Sequence, residues 1–216
     1  MRGLTIAAAV LVLAAGEGGA QSGCTTRYRF IAGGHMSTIS LKASQDPDPS
    51  SGLGAGLILG YGFTPRLGIF ITATRGVLDR EPATVIKKPV IEHYDLGLVY
   101  RFVSCESVVV PFLVVALNDP YITTTVTITD SSGITRKGKQ YVTSTIGLPA
   151  IGAGVDIHMS PRWTSSVGFL YYRGRINERW VGDKEVAMTT PYNASGFRVD
   201  LGFKAFLRPA VQRKQK

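Results

Sequence analysis

The chain has 216 residues, with 24 lysines and arginines against 15 aspartates and glutamates, which gives a formal net charge of +9 at neutral pH. This length suits a single domain of ordinary size. The basic residues are dispersed and no nucleic-acid-binding motif accompanies them, so the sequence argues against nucleic acid as a partner despite the charge.

The N-terminus has the layout of a secretory signal peptide. Arg2 supplies a positive start, residues 4–15 form an apolar run too short for a spanning helix, and residues 18–20 are small enough for cleavage. We therefore predict a signal peptide over residues 1–20. A lipid-modified Cys24 is the alternative, but the residue three places before it is polar, where such cysteines usually have an apolar one.

The mature chain shows apolar residues at every second position, a period typical of strands with one apolar and one polar face. In chain order, we predict eight strands at residues 26–34, 53–63, 67–74, 92–103, 108–117, a sixth ending over 151–157, then 163–173 and 197–207. The last strand has eleven residues, about what a tilted strand needs to cross a hydrocarbon core. The strand at 108–117 is apolar on both faces, so its pattern leaves its facing open.

The connections between these strands alternate in length. Those at 64–66, 104–106 and 160–162 are tight, whereas those at 35–52, 76–91, 118–140 and 174–194 are long and polar. Bacterial outer-membrane barrels have an even number of strands, short periplasmic turns and long outer loops. Residues 130–133 form a turn signal between alternating Thr, Val and Ile runs, which predicts a hairpin prolonged beyond the membrane.

The facing of the apolar side chains decides between two barrel classes. A secreted lipocalin-like barrel would turn them inward, whereas a membrane barrel turns them toward lipid. Each strand has two sets of alternate positions, one apolar and one polar, which we call its parities. Glycines are frequent on the polar parity, as a narrow interior requires, and the charged residues on that parity are of both signs. Aromatic residues of the apolar parity gather at the short-turn rim as an interfacial girdle, namely Tyr28, Phe30, Tyr61, Phe63, Tyr100, Phe102, Trp163 and Phe203. We predict that the apolar face contacts lipid.

The turn segments 62–68 and 158–163, together with the strands at 94–102 and 152–156, resemble the small eight-stranded outer-membrane barrels of OmpA/OmpX type. The resemblance implies an all-β, antiparallel up-and-down transmembrane barrel over residues 21–207. It also implies a Gram-negative-type outer membrane, periplasmic termini and delivery by the barrel-assembly machinery. Family members usually end on an aromatic residue, whereas this chain continues as a basic tail over residues 208–216.

Charged residues on the inward parity form the main candidate site. They could line an ion path with an anionic preference, or they could pair into a plug. We favour the plug, because an eight-stranded barrel holds little beyond its own side chains and buried charges need partners. The predicted lumen network comprises Arg27, Arg29, Asp95, Arg101, Asp156, Arg198, Asp200 and Lys204.

Three other motifs contain residue types that could carry chemistry. His93 and His158 share the inward parity but lie at opposite strand ends, which argues against a metal site. The segment 35–37 resembles the His-x-Ser of outer-membrane lipid A deacylases, but we place it where the first strand meets its loop, with no acidic partner, and expect no catalysis. Cys24 and Cys105 would share an oxidising compartment that allows a disulfide, although their predicted strands lie on opposite sides of the ring.

Arg75 and Arg173 face lipid at the outer strand ends. They could bind lipopolysaccharide phosphates, for which the guanidinium is well matched, or serve as ordinary snorkelling arginines.

From the sequence as a whole we expect a non-enzymatic, monomeric outer-membrane platform that displays four outer loops and needs no cofactor or metal. Its partners would be outer-membrane lipid and lipopolysaccharide. A narrow channel or small-solute-binding barrel is the main alternative; a lipid-modifying enzyme and a secreted carrier are less favoured.

Overall fold

The structure, a computed structural model, describes residues 30–44, 48–79, 88–102, 107–129, 135–160, 162–182, 184–188 and 190–207. The described residues form eleven strands: β1 (Phe30–Ala43), β2 (Ser50–Gly62), β3 (Leu67–Leu78), β4 (Val90–Arg101), β5 (Val109–Thr129), β6 (Thr135–Thr143), β7 (Leu148–His158), β8 (Trp163–Ile176), β9 (Glu178–Val181), β10 (Lys184–Glu185) and β11 (Tyr192–Leu207). In these parts of the chain, no helix has the length and apolar character needed to cross a membrane.

Eight of the strands close into an antiparallel ring, in the order β1, β2, β3, β4, β5, β7, β8 and β11, with β11 pairing back to β1. A row of directly paired residues that starts at Ile31 returns to β1 at Leu41, a stagger of ten residues. Such a stagger goes with strongly tilted strands. The predicted eight-stranded up-and-down barrel is confirmed.

Three connections of the ring, β2–β3, β4–β5 and β7–β8, lie at one end of the barrel, which we call the turn end. At the opposite end, the loop end, β5 continues to Thr129 and pairs with β6, which pairs with β9 and then β10. The predicted extension of this hairpin is therefore confirmed.

Two predicted loops are wrong. The first strand does not end at residue 34, because β1 continues to Ala43 and pairs along its whole length with β11. The predicted loop at 174–194 contains the end of β8, the short strands β9 and β10, and the start of β11. In both segments polar residues replace the alternating apolar ones, so pairing with neighbouring strands maintains the strand where hydropathy no longer marks it.

The apolar parity faces outward and the charged parity faces inward. Leu201 is 61% exposed and Leu57 is 68% exposed, whereas Asp95 is 1% exposed and Arg198 is 2% exposed. This confirms the predicted facing. It also resolves β5, whose Leu113 lies outward while Phe112 is buried inside.

Exposed aromatic side chains surround the barrel near the turn end. Trp163 and Phe203 stack with ring centroids 5.0 Å apart, and Phe30 meets Tyr61 edge-on at 5.0 Å. Phe63, Tyr100 and Phe102 are exposed in this region, and Tyr61 is half-buried. The predicted girdle is confirmed for these residues; Tyr28 lies outside the described residues.

Candidate functional site: the barrel interior

The strand register arranges the inward side chains in four layers along the barrel axis. From the turn end to the loop end these are a charged layer, an apolar layer, a second charged layer and a second apolar layer. The alternation follows from which residues occupy the inward parity of each strand.

The charged layer at the turn end is built around Asp156 of β7. Its carboxylate accepts a hydrogen bond from Lys204 Nζ at 2.7 Å and lies 3.6 Å from Arg101 Nε. Beside it, His158 Nδ1 and Thr164 Oγ1 are 2.6 Å apart. Asp156 and Arg101 are almost wholly buried, so this carboxylate partly balances two cations away from bulk water.

The next layer is an apolar chamber. Phe70, Val99 and Phe112 line a cavity of about 90 Å³ together with smaller residues of β2 and β8. Lys204 and Arg101 border the cavity toward the turn end, and the Lys204 ammonium lies 5.2 Å from the centre of the Phe112 ring. That distance fits a cation–π contact.

The central charged layer is organised by Arg198 of β11. Its guanidinium contacts Asp95 of β4 at 2.8 Å and Asp200 of its own strand at 2.8 Å. Ser37 donates to Asp200 at 2.6 Å, and Thr72 and Asn118 both donate to Asp95. Each carboxylate therefore has further hydrogen-bond donors besides the cation, as a buried ion pair requires. The residues of this hydrogen-bonded network are Ser37, Thr72, Asp95, Asn118, Arg198 and Asp200.

Two histidines belong to this central layer. His93 Nδ1 lies 3.0 Å from Asn118 Oδ1, and its ring centroid is 5.1 Å from that of Tyr172. His35 Nε2 lies 2.8 Å from Thr74 Oγ1 inside the barrel, in the middle of β1. The predicted position of His35 at a strand–loop junction is therefore wrong. Among the described residues there is no cluster of three or more potential metal ligands of the His, Cys, Asp and Glu types.

The layer at the loop end is apolar. Ile39, Ile91, Leu148 and Ile176 have no exposed surface, and Leu41, Leu78 and Ile122 pack in the same cluster. Tyr172 borders this layer and donates its hydroxyl to the Ser40 carbonyl oxygen at 3.1 Å. Apolar side chains thus occupy the cross-section through which water would reach the central charges.

The inward charges of the described ring strands balance. The turn-end layer has two cations and one carboxylate, and the central layer has one cation and two carboxylates. Of the predicted network, Asp95, Arg101, Asp156, Arg198, Asp200 and Lys204 lie in these two layers, while Arg27 and Arg29 fall outside the described residues.

Sequence reasoning missed the neutral participants Ser37, Thr72 and Asn118. It also missed the apolar layers. The sequence does place these residues on the inward parity of their strands. Which of them meet inside the barrel follows only from the strand register.

The remaining predicted residues lie on the outside or beyond the described chain. Arg75 and Arg173 are exposed on the outer face near the loop end. Arg75 Nε lies 3.6 Å from Glu92 Oε1, whereas Arg173 has no ion pair among the described residues. Cys24 and Cys105 fall outside the described residues, as do the predicted signal peptide and the basic tail.

Comparison with known proteins supports the fold. No protein-family model matches the chain, and a search of curated proteins finds no match. Among solved structures, Neisserial surface protein A is similar with a TM-score of 0.56 at 16% identity, covering 82% of this chain and 97% of that one. The outer membrane protein OprG from Pseudomonas aeruginosa gives 0.53 at 12% identity, with 86% and 98% covered. The chain therefore has the eight-stranded barrel fold of small outer-membrane proteins.

Proposed function

We propose that the protein is a sealed barrel in the outer membrane of a Gram-negative-type bacterium and that it serves as a non-enzymatic platform for surface interaction. The observation that carries this proposal is the layered interior, in which paired charges and apolar side chains fill the lumen while apolar residues face outward.

The outer surface supports the membrane location. Large apolar side chains are exposed on every ring strand, including Leu57, Ile71, Leu96 and Ile151. A water-soluble monomer rarely exposes a contiguous apolar surface of this extent. An aromatic girdle at one edge fits the boundary between hydrocarbon and water.

The interior supports the sealed state. An ion that entered from the loop end would first meet the apolar layer of Ile39, Ile91 and Ile176, and then carboxylates already paired with Arg198. Breaking such buried pairs leaves uncompensated charge at a cost of several kcal/mol. We therefore expect no conducting path through the folded barrel.

The platform role follows from the loop end. There β5, β6, β9 and β10 extend the wall beyond the ring as a small sheet, and its exposed cations include Arg136, Lys137 and Lys139 of β6. In outer-membrane barrels the turns face the periplasm, so this sheet would face the outside.

Conductance and surface labelling test the proposal. Purified full-length protein in planar bilayers should give no unitary current steps, and it should fractionate with outer membranes and migrate differently before and after boiling in SDS. A Lys137→Cys variant should gain labelling by a membrane-impermeant maleimide on intact cells, with the native chain as control. Reproducible conductance would refute the sealed barrel, and absence of labelling would refute the orientation.

A small-solute-binding barrel is the second candidate, and the interior cavity is the observation that favours it. A cavity of about 90 Å³ bounded by Phe70, Phe112 and Lys204 has room for only a few water-sized groups. Saturable binding of a small organic anion in detergent, lost in a Lys204→Met variant, would favour this alternative.

A further inference from the structure

The outer surface at the loop end carries three exposed cations on β8 and β1, the two strands that flank β11. Arg173 of β8 pairs across the sheet with Ser195 of β11, which in turn pairs with Lys42 of β1. Neighbouring strands lie about 4.8 Å apart, so the two ends of this row are roughly 10 Å apart. One step farther along, Arg175 pairs with Asn193. We call these five residues the β8–β11–β1 patch.

The cations of the patch are available for a ligand. Lys42, Arg173 and Arg175 are all exposed, and none of them forms an ion pair among the described residues. The side chains between them, Ser195 and Asn193, are neutral hydrogen-bonding groups. Within the described residues, the patch therefore presents three positive charges with no carboxylate among them.

The opposite side of the barrel has a different surface. On β3 and β4, Arg75 lies 3.6 Å from Glu92, whose carboxylate also accepts a hydrogen bond from the Tyr94 hydroxyl at 3.2 Å. Asp119 of β5 pairs directly with Tyr94 across the sheet. Positive and negative charges are therefore mixed on this side of the loop end, and Arg75 is already paired with Glu92.

The patch begins where the apolar outer surface ends. The next outward-facing row toward the turn end consists of Tyr171 and Phe197, which pair across the sheet. Phe169 stacks on Phe197 with ring centroids 6.0 Å apart, and all three rings are exposed. A lipid seated here would place its acyl chains on aromatic rings and its headgroup on cations.

We infer that the β8–β11–β1 patch binds the phosphorylated sugar headgroup of lipopolysaccharide. Two guanidinium groups and one ammonium match phosphate oxygens, and the planar guanidinium can bind phosphate through two parallel hydrogen bonds. The Ser195 hydroxyl and the Asn193 amide suit sugar hydroxyl groups between the phosphates. This inference rests on the proposed outer-membrane location with the loop end outward.

Lipopolysaccharide titration of the folded, full-length protein in detergent micelles tests the inference. Removing the cations in Lys42→Gln/Arg173→Gln/Arg175→Gln should weaken binding roughly tenfold or more, because each basic residue near an anionic surface contributes about 1 kcal/mol. The matched control, Arg136→Gln/Lys137→Gln/Lys139→Gln, loses the same charge on β6 and should bind within about twofold of the native chain. Arg75→Gln should likewise have little effect.

Two further ligands identify the group that is recognised. Dephosphorylated lipopolysaccharide should bind as weakly as the triple variant binds the intact lipid, and phosphatidylglycerol micelles should not compete. Equal losses in the triple variant and its β6 control, unchanged binding after dephosphorylation, or equal competition by phosphatidylglycerol would each overturn the inference.

Folding and location are checked separately. Heat-modifiable gel mobility reports whether the triple variant folds. If it does not fold, the double variant Lys42→Gln/Arg175→Gln replaces it in the binding measurement. If the native chain fractionates away from the outer membrane, the proposed function fails. If the chain resides there but the variants bind lipopolysaccharide normally, only the present inference fails.

Discussion

Arg198 holds together the central charged layer, because its guanidinium contacts both Asp95 and Asp200. Arg198→Met would leave two carboxylates without a cation, one of them fully buried, so we expect a loss of about 3–5 kcal/mol in the free energy of unfolding. Lys204→Met is the comparison, because Asp156 would keep Arg101 as a cation at 3.6 Å. This variant should lose only about 1–2 kcal/mol of unfolding free energy. Urea unfolding in lipid vesicles measures both, and an equal or reversed order would contradict the assignment.

Gly196 is required by the close approach of two groups, the Ser40 backbone of β1 and the Tyr172 side chain of β8. The atom nearest to a Cβ at this position would be the Ser40 carbonyl oxygen of β1. The Cβ would also lie 2.5 Å from the Tyr172 hydroxyl oxygen and 2.6 Å from its Cε2, and Tyr172 is fully buried. Gly196→Ala should therefore destabilise the barrel by about 1–3 kcal/mol through overpacking.

The matched control for this prediction is Gly168→Ala. At Gly168 the nearest atom to an added Cβ is Phe112 Cζ at 3.6 Å, an ordinary contact. Because alanine also loses less backbone entropy on folding than glycine, this variant should be neutral or slightly stabilising. Equal unfolding midpoints for the two variants would show that the Ser40 backbone and Tyr172 can both move aside without cost.

At the level of the strands, hydropathy identified all eight members of the ring, because the outward face is apolar along most of each strand. It failed for the far half of β1, where the outward positions Thr38, Ser40 and Lys42 are polar although pairing with β11 continues. It also did not determine which side chains of β5 face inward, since both faces of this strand are apolar. The inward face of β5 became identifiable only through Phe112, which fills the apolar chamber formed by other strands.

The hairpin of β5 and β6 can be shortened beyond its contacts with β9. Val126 and Gly138 are directly paired, so an Asn-Gly turn can replace residues 127–137. We expect the shortened chain to fold with a free energy of unfolding within about 1 kcal/mol of the native value, because the pairing of β6 with β9 runs from Gln140 to Thr143 and is retained.

The control truncation cuts deeper. Joining Ile122 to Val142 by the same turn removes Gln140, which accepts a hydrogen bond from Arg179 at 3.0 Å and pairs with Val181 of β9. This variant should be distinctly less stable than the shorter truncation. If both truncations lower the urea midpoint equally, the outer part of the hairpin stabilises the barrel as much as its pairing with β9 does.

At the scale of the molecule, outward facing and even strand number could be predicted, whereas the filling of the lumen could not. Asp95 and Arg198 meet only because ring closure and stagger bring β4 and β11 to the same level. The apolar layer at the loop end likewise combines Ile39, Ile91 and Ile176 from three separate strands. Such groupings depend on register, which one-strand patterns do not encode.

The proposed membrane location predicts a depth-dependent cost of charge on the outer face. Leu201 pairs with Met36 and Val167 near the middle of the apolar surface, whereas Val77 is one residue from the loop end of β3. In lipid vesicles, Leu201→Arg should cost about 2–4 kcal/mol of unfolding free energy and Val77→Arg about 0–1 kcal/mol. A water-soluble barrel predicts instead that both changes stay within about 0.5 kcal/mol, because both side chains would already face water. Equal, small effects would therefore show that the outer face does not contact hydrocarbon.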